Sequence, residues 1–439
     1  MLRFAASSIA AFTALTVLAC DQAAGPPGTP DNPGSTRVQG TALQMQTGDS
    51  QYATVGRPVA VNPKVLVVND SGRPVQGVTV NFAVTSGGGS ASGTQAVSDS
   101  AGFATVGSWT LGSETGANTL TATIRGGDGT PIVFTAIAMC DCWKERAAVN
   151  KARRLAGSAV LGGKLYLIGG WNQRDLSLPV EEYDPASDTW VVRGTVPAQY
   201  KTGAVALNGE LYLVAGEFSG TTPTPALASY DPVTGRLTQH LAPPTPRAQM
   251  EAAVVDGRLY VLGGLDGVTG ILTTVEAFDP KTETWTTVAP MPRGRYQMAV
   301  AVVEGIIYVI GGQARGGPGT YVSEIVASVI AYDPKTDTWT DKASLPERLS
   351  SAAVGVVNGR IYVAGGTRFE WTGTDRYVMD PWTPNVYVYD PHTDHWSIQP
   401  PMHTPRYEAT AAGLDSTVYV IGGVGALGAM LGNVEALKP

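Results

Sequence analysis

Pairs of glycines follow short hydrophobic segments in this chain, and a glycine pair after a strand is one way in which a nucleotide site begins. VVDGRLYVLGG (254–264) and VVEGIIYVIGG (302–312) are two such segments, and one literal G-x-G-x-x-G runs from 423 to 428. Glycine has no Cβ, so the backbone can approach a phosphate closely. A dinucleotide site also needs a following helix and a return strand, and eleven residues remain after Gly428. We therefore expect no dinucleotide site at this segment.

The composition indicates an all-β protein with a sizeable core. Of 439 residues, 43% are hydrophobic and 15% are charged, which is too apolar for a disordered chain. Short alternating segments bounded by Gly, Pro, Asn and Asp dominate the sequence. The formal net charge is −7 and no Lys/Arg-rich stripe is present, so nucleic acid is not an expected partner.

The glycine pairs belong to an internal repeat. One motif, KLYLIGG and its variants, occurs six times, with its tyrosines at steps of 46, 48, 48, 54 and 57 residues. A second motif, such as YDPASDTW (183–190), lies between these copies. A period of about 50 residues with four short strands per unit is typical of a propeller blade. The glycine pair, the Tyr-Asp-Pro turn and the spaced tryptophan resemble kelch repeats over 140–439, which implies a six-bladed β-propeller and structural glycines.

The ring is predicted to close through its N-terminal strand. The sixth copy ends at GNVEALKP, which matches a third strand and lacks a fourth. Trp143 precedes Arg153 by ten residues, the same step as from Trp285 to Arg295. We therefore expect the strand around Trp143 to complete the last blade, which leaves few open sheet edges.

The N-terminus resembles that of a bacterial lipoprotein. Residues 1–19 have a single basic residue, Arg3, then an apolar stretch, and the sequence VLAC spans 17–20. The resemblance implies that Cys20 is acylated and that its acyl chains insert into a lipid bilayer. Residues 20–37 are rich in Pro and Gly and are expected to form a flexible tether. The resemblance further implies export to the bacterial cell envelope, periplasmic or at the cell surface. The alternative is an ordinary buried cysteine.

Residues 38–138 have turn residues about every ten positions between alternating strands, which predicts a β-sandwich. The segment resembles bacterial immunoglobulin-like domains of invasin and intimin type, which implies a rigid spacer. Cys140 and Cys142 follow. On an extended strand their Cα atoms would lie near the upper limit for a disulfide, and no further metal ligand is close in sequence, so two free or weakly strained thiols are expected.

The strands of a blade, named a to d from the centre outwards, alternate in direction, so the b–c and d–a loops share one face. The a–b and c–d turns on the other face are short and uniform. Because the b–c loops differ in every blade, we expect ligand binding on their face. The longest, 367–385, carries the candidate anchors Arg368, Trp371, Arg376, Tyr377 and Trp382. The alternative is that this loop packs its aromatic residues against blade five.

The d–a segments carry a second set of candidates. Arginines recur at one phase of the repeat, with Tyr200 in blade two: Arg153, Arg247, Arg295, Arg348 and Arg406. Hydrogen bonds between blades are their alternative role. Polar residues two positions further along, Gln249, Gln297 and Glu408, are expected at the mouth of the central channel.

The sequence favours a binding protein over an enzyme. Some kelch-type propellers are enzymes, such as galactose oxidase and a sialic acid epimerase. A copper-radical oxidase needs a tyrosine cross-linked to cysteine and histidine ligands, and this chain has four histidines without that arrangement. We expect no catalytic residues, no cofactor and no metal. The expected ligand is a protein or a glycan, and the alternative is an epimerase-like, carbohydrate-active enzyme with Glu408 or Glu251 as base.

Overall fold

The computed structural model describes residues 41–126, 130–172, 175, 177–197, 203–219, 222–267, 270–315, 323–371, 377–380 and 382–439. Within these ranges the chain forms 39 strands and one 3₁₀ turn. The predicted all-β fold is confirmed.

The N-terminal strands form a β-sandwich. They pair as sheets β1-β3-β7, β2-β10-β9-β4-β6 and β5-β8 around a shared core that includes Phe82, Trp109 and Phe134. Alternate residues of these strands face this core, as period-2 patterning predicts. The strands are β1 (Thr41–Thr47), β2 (Gln51–Thr54), β3 (Lys64–Asn69), β4 (Thr79–Ser86), β5 (Ser90–Ser92), β6 (Gln95–Val97), β7 (Phe103–Thr105), β8 (Ser108–Thr110), β9 (Gly116–Ile124) and β10 (Ile132–Met139).

Six four-stranded antiparallel sheets follow, and each is a propeller blade with strands a to d in order from the centre outwards. Blade one is β12 (Gly157–Leu161), β13 (Lys164–Ile168), β14 (Ser177–Asp184) and β15 (Thr189–Pro197). Blade two is β16 (Gly203–Leu207), β17 (Glu210–Ser219), β18 (Thr222–Tyr230) and β19 (Leu237–His240). Blade three is β20 (Glu251–Val255), β21 (Arg258–Leu262), β22 (Val275–Asp279) and β23 (Thr284–Val288).

Blade four is β25 (Ala299–Val303), β26 (Ile306–Ile310), β29 (Val329–Asp333) and β30 (Thr338–Lys342). Blade five is β31 (Ala353–Val357), β32 (Arg360–Ala364), β35 (Val386–Asp390) and β36 (His395–Gln399). Blade six is β37 (Thr410–Leu414), β38 (Thr417–Ile421), β39 (Val434–Leu437) and the N-terminal β11 (Trp143–Arg146). The b–c and d–a loops add β24 (Arg295–Tyr296), β27 (Gln313–Arg315), β28 (Ser323–Ile325), β33 (Arg368–Trp371), β34 (Tyr377–Asp380) and the 3₁₀ turn Ala426–Gly428.

The propeller closes as predicted. Strand β11 pairs with β39, with Trp143 opposite Leu437 and Arg146 opposite Val434. Each a strand packs beside the next, and β37 of blade six packs beside β12 of blade one. The six a strands surround a central channel of about 330 Å³, lined mainly by Ala, Val and Gly.

Tryptophan side chains join successive blades. On the d strands, five indole Nε1 atoms each donate a hydrogen bond to a backbone carbonyl of the preceding blade: Trp190 to Ala147 (2.8 Å), Trp285 to Leu241 (2.8 Å), Trp339 to Ala289 (2.9 Å), Trp396 to Ala343 (2.7 Å) and Trp143 to Pro400 (2.7 Å). In blade two, Leu237 stands at this position and has no such donor. The spaced tryptophan of the repeat is therefore an inter-blade contact.

An aspartate two residues before the tryptophan binds the backbone N–H of the same residue in three blades. Asp337 Oδ1 accepts the backbone N–H of Ala289 at 2.8 Å and the hydroxyl of Tyr332 at 2.6 Å. These hydrogen bonds, from Tyr332 first and then Ala289, lower the pKa of Asp337. Asp188 binds Ala147, and Asp394 binds Ala343, in the same way. We call each Asp–Trp pair with its bound residue a blade clamp.

The glycine pairs are structural, as expected. Gly263 and Gly264 end β21 with φ of 57° and 98°, in the left-handed region that favours glycine. A Cβ on Gly264 would lie 2.6 Å from the carbonyl oxygen of Ala248. The Gly264 N–H also donates to the carbonyl of Arg295 in the next d–a segment, at 2.8 Å.

The expectation of two free thiols was wrong, because Cys140 and Cys142 form a disulfide. The expectation assumed an extended strand, whereas the chain between β10 and β11 is not a strand. The two Cα atoms are consequently 5.2 Å apart, within the usual range for a disulfide.

Replacing Trp143 by alanine should destabilise the whole propeller. Its indole is 3% exposed, packs against strands of blades five and six, and donates to Pro400. Truncation of a core aromatic side chain typically costs about 3–5 kcal/mol. We expect a loss of this size in the free energy of unfolding, measured by urea titration. An unchanged unfolding midpoint would contradict the role of β11 in closing the ring.

Candidate functional site

Backbone hydrogen bonds join equivalent residues of neighbouring blades at the mouth of the central channel. Five equivalent residues just before the a strands have left-handed φ between 51° and 56°: Leu155, Gln249, Gln297, Ser351 and Glu408. The N–H groups of Leu155, Gln297, Ser351 and Glu408 each donate to the carbonyl of the equivalent residue in the preceding blade, at 2.9–3.5 Å. Non-glycine residues persist in this region only when surrounding structure holds them there. The mouth is therefore a fixed frame for its side chains.

The arginines before this frame are buried within the blades. Arg247 is 1% exposed, and its guanidinium donates to the carbonyls of Gly263 and Thr274 and to the carboxylate of Glu276. Arg153 pairs with Glu181, and Arg406 with Glu435, in the same arrangement. Each arginine thus joins a d–a segment to strands b and c of its own blade.

Burial lowers the pKa of Arg247, and the charge of Glu276 opposes that shift. Arg295 has no carboxylate at this position, because Ile330 replaces the glutamate and the guanidinium binds Ser328 instead. Burial first, and then repulsion by Arg293, lowers the pKa of Arg295 to about 10.

These contacts correct the expected ligand-binding role of Arg153, Arg247, Arg295 and Arg406. All four are at most 2% exposed, so a ligand on this face has no access to them, and we assign them a structural role. Arg348 is not equivalent to them: its side chain is 65% exposed, and Leu349 occupies the buried position.

The sequence contained a pattern that identifies these ion pairs. In blades one, three and six the c strand reads VEEYD, VEAFD or VEAL, so that a glutamate follows 28 or 29 residues after the arginine. A buried charge needs such a partner, because an isolated one is strongly disfavoured. The recurring glutamate could therefore have marked the arginines as structural.

The predicted polar residues lie at the mouth. The Gln297 Oε1 accepts from the side-chain amide of Gln313 at 2.7 Å and lies 3.3 Å from the hydroxyl of Ser350. Glu408 forms an ion pair with Arg154, at 2.8 Å. Gln249 has a buried Oε1 without a hydrogen-bond partner among the described residues.

An aromatic patch crosses blades five, six and one on this face; we define it as Trp171, Arg154, Glu408, Tyr407 and Trp382. The Arg154 guanidinium lies 4.4 Å from the centre of the Trp171 ring, a cation–π contact. Trp382 stacks on Tyr407, with ring centres 5.6 Å apart and planes at 16°. Burial, and then the charge of Glu408, raises the pKa of Tyr407. Sequence reasoning missed Arg154, Trp171 and Tyr407, because the residue type at their positions varies from blade to blade.

The long loop of blade five contributes to this patch through Trp382. The loop contacts blade six there, so it does not pack only against blade five. Arg368 forms an ion pair with Glu347 at 3.1 Å. Trp371 and Tyr377 are opposite each other in the β33–β34 hairpin. Arg376, and likewise Tyr200 and Cys20, lie outside the described residues.

No group of three or more His, Cys, Asp or Glu side chains in the described part of the chain is arranged to hold a metal ion. No helix in the same ranges has the length and apolar character needed to cross a membrane.

Comparison with known proteins agrees with the repeat and the blades. The model of the KLHDC2/KLHL20/DRC7 kelch-repeats domain matches residues 155–366 and 204–423, which together span more than half of the chain. This chain belongs to the kelch-repeat family. The solved structure of YjhT matches with a TM-score of 0.56 over 66% of this chain and 95% of YjhT. At 15% sequence identity that likeness shows the kelch fold alone.

Curated relatives match shorter segments. Kelch-like protein 35 of Mus musculus is 38% identical over 97 residues, which are 22% of this chain and 15% of that protein. Kelch repeat and BTB domain-containing protein 12 of Homo sapiens is 33% identical over 25% of this chain and 18% of its own length. Beta-scruin of Limulus polyphemus is 35% identical over 23% of this chain and 10% of its own length. The chain thus matches less than a fifth of each relative.

The ion pair of blade three provides a test of the structural assignment. Glu276→Leu would leave the Arg247 guanidinium buried without its carboxylate, so the free energy of unfolding should fall by about 3–5 kcal/mol. Replacing both residues by leucine should cost much less, because no charge stays buried alone. Urea unfolding measures both variants, and an equal loss in the single and double variants would show that the pairing is unimportant.

Proposed function

We propose that this kelch-repeat protein is an exported, lipid-anchored binding protein whose propeller binds a protein partner through the b–c and d–a loops. In this proposal Cys20 carries the lipid, residues 20–37 are the tether, and the sandwich is an immunoglobulin-like spacer. The lipoprotein-like VLAC sequence and the Pro- and Gly-rich segment after it support the anchoring. The family supports a role in protein interaction.

The observation that carries the binding proposal is the aromatic patch on one face. It combines two indoles, a phenol and an arginine, the side-chain types that dominate binding energy in protein interfaces. Its residues are half-buried and lie over a channel mouth fixed by backbone hydrogen bonds. Such preorganisation reduces the entropy lost on binding.

A protein fits the patch better than a glycan does. A sugar ring stacks on an open aromatic face, but Arg154 covers one face of Trp171 and Tyr407 covers one face of Trp382. An epimerase-like reaction would need Glu408 or Glu251 as a base. The carboxylate of Glu408 is engaged by Arg154, so we rank the enzyme below the binding protein.

Lipid attachment is tested at Cys20. We expect wild-type protein, but not Cys20→Ser, to incorporate a fatty-acid analogue during metabolic labelling. The variant should also be recovered in the soluble fraction, because the acyl chains supply the anchoring. Cys140→Ser is the matched control and should label normally. Equal labelling of wild type and Cys20→Ser would reject the anchor.

Binding is tested by substitutions on the two faces. Trp382→Ala and Arg154→Ala should each weaken affinity for a co-purified protein by about 2 kcal/mol or more, as interface hot spots do. Lys281→Ala and His392→Ala, in c–d turns on the opposite face, should leave affinity unchanged. Calorimetry measures the affinities, and thermal unfolding verifies that all four variants are folded. Loss of affinity only in the c–d variants would refute the choice of face.

A further inference from the structure

The b–c loop of blade six carries an exposed leucine on the face of the aromatic patch. Leu427 is 101% exposed and lies in the 3₁₀ turn Ala426–Gly428. Its φ is 57°, in the left-handed region that a residue with a branched, bulky side chain rarely adopts. Ala426, Gly428 and Ala429 beside it are also exposed, and 424–432 contain no charged residue. Leu427 is therefore the tip of a small, uncharged apolar surface on the face of the aromatic patch.

The loop holds Leu427 in a fixed position. The backbone N–H of Gly425 donates to Ala429 O at 2.9 Å, and the N–H of Leu431 donates to Gly423 O at 2.9 Å. Gly425 also lies against the Leu431 side chain, so closely that a Cβ there would be 3.0 Å from it. The projecting side chain is therefore presented by an ordered turn.

The turn is joined to the aromatic patch through the backbone. Val424 pairs with Tyr407, with N–H to O distances of 2.9 and 3.1 Å, and Tyr407 carries the stacked Trp382. Blade six lies between blades five and one, which supply the other patch residues. Leu427 thus continues the candidate interface outwards from the channel mouth.

We propose that Leu427 is the apolar anchor of the interface, inserted into a leucine-sized hydrophobic pocket on the surface of a folded protein partner. The inference rests on the proposed binding function and assigns its anchor. A lipid bilayer is a poor alternative occupant. One leucine buries far fewer carbons than a myristoyl chain, which by itself binds membranes only marginally. The neighbouring arginine, Arg154, is neutralised by Glu408 and so offers little to anionic headgroups.

The test separates anchoring from folding by using asparagine. Asn adopts the left-handed conformation more readily than leucine does, so Leu427→Asn should keep or raise the unfolding temperature. Val233→Asn is the matched control, because Val233 is 91% exposed in a c–d turn of the opposite face. If Leu427 supported the fold instead, Leu427→Asn would lower the unfolding temperature.

The partner is identified by placing photoreactive benzoylphenylalanine at 427, and at 233 as control, in the full chain in its own cells. We expect a protein adduct from 427 alone. The purified adduct protein should then bind Leu427→Asn at least tenfold more weakly than wild type, and Val233→Asn as tightly as wild type. A lipid adduct, no adduct, or equal affinity of Leu427→Asn and wild type would overturn the anchor. If Trp382→Ala still weakened binding in the last case, the proposed function would stand.

Discussion

The propeller depends on the hydrogen bond from the d-strand tryptophan to the preceding blade, which an aspartate completes as a blade clamp in three blades. A tryptophan and an aspartate of one blade bind the carbonyl and the N–H of a single residue in the preceding blade. The N-terminal strand takes part in two such contacts. Trp143 donates to Pro400 of blade five, and Ala147 is bound by Asp188 and Trp190 of blade one. Residues 143–147 therefore join blade six to both neighbouring blades. These contacts add to the strand pairing with β39.

Local departures from the clamp follow from the chemistry of single residues. Pro400 has no N–H, so the aspartate of the closing strand, Asp141, has nothing to accept from it. Asp141 instead binds His403, further along the same d–a segment. Leu237 in blade two removes the indole, and blade two packs through apolar contacts around Tyr230 and Leu237. Among the described residues a complete clamp is present in three of the six blades, and the other blades depend more on strand pairing and core contacts.

The sequence predicted those features that repeat with a fixed spacing. The ten-residue step from Trp143 to Arg153 located the closing strand, because an equivalent strand must keep the same register. Strand direction and loop length placed Gln297, Glu408 and Trp382 on one face. The arginines were placed among the candidate ligand-binding residues, with hydrogen bonds between blades as the alternative. The carboxylate partners of three of them lie 28 or 29 residues further along the chain, on strand c of the same blade. Arg348 was aligned with the buried arginines, but it lies one position before theirs in the repeat, and Leu349 occupies the buried position. The disulfide was missed, because Cα spacing depends on a local bend that residue types did not indicate.

In blade five, a different contact takes the place of the buried arginine–glutamate pair and supports a loop of the candidate interface. The blade lacks the buried arginine and glutamate, and Tyr387 occupies the position of Glu276. Tyr387 donates to Glu347 at 2.7 Å, and Glu347 also pairs with Arg368 at the base of the long loop. Burial and the charge of Glu347 raise the pKa of Tyr387, so the phenol stays protonated as a donor. In blades one, three and six the ion pair is sealed inside, whereas in blade five the carboxylate connects the core to the loop. The blade that departs most from the repeat therefore supports the longest loop of the candidate interface.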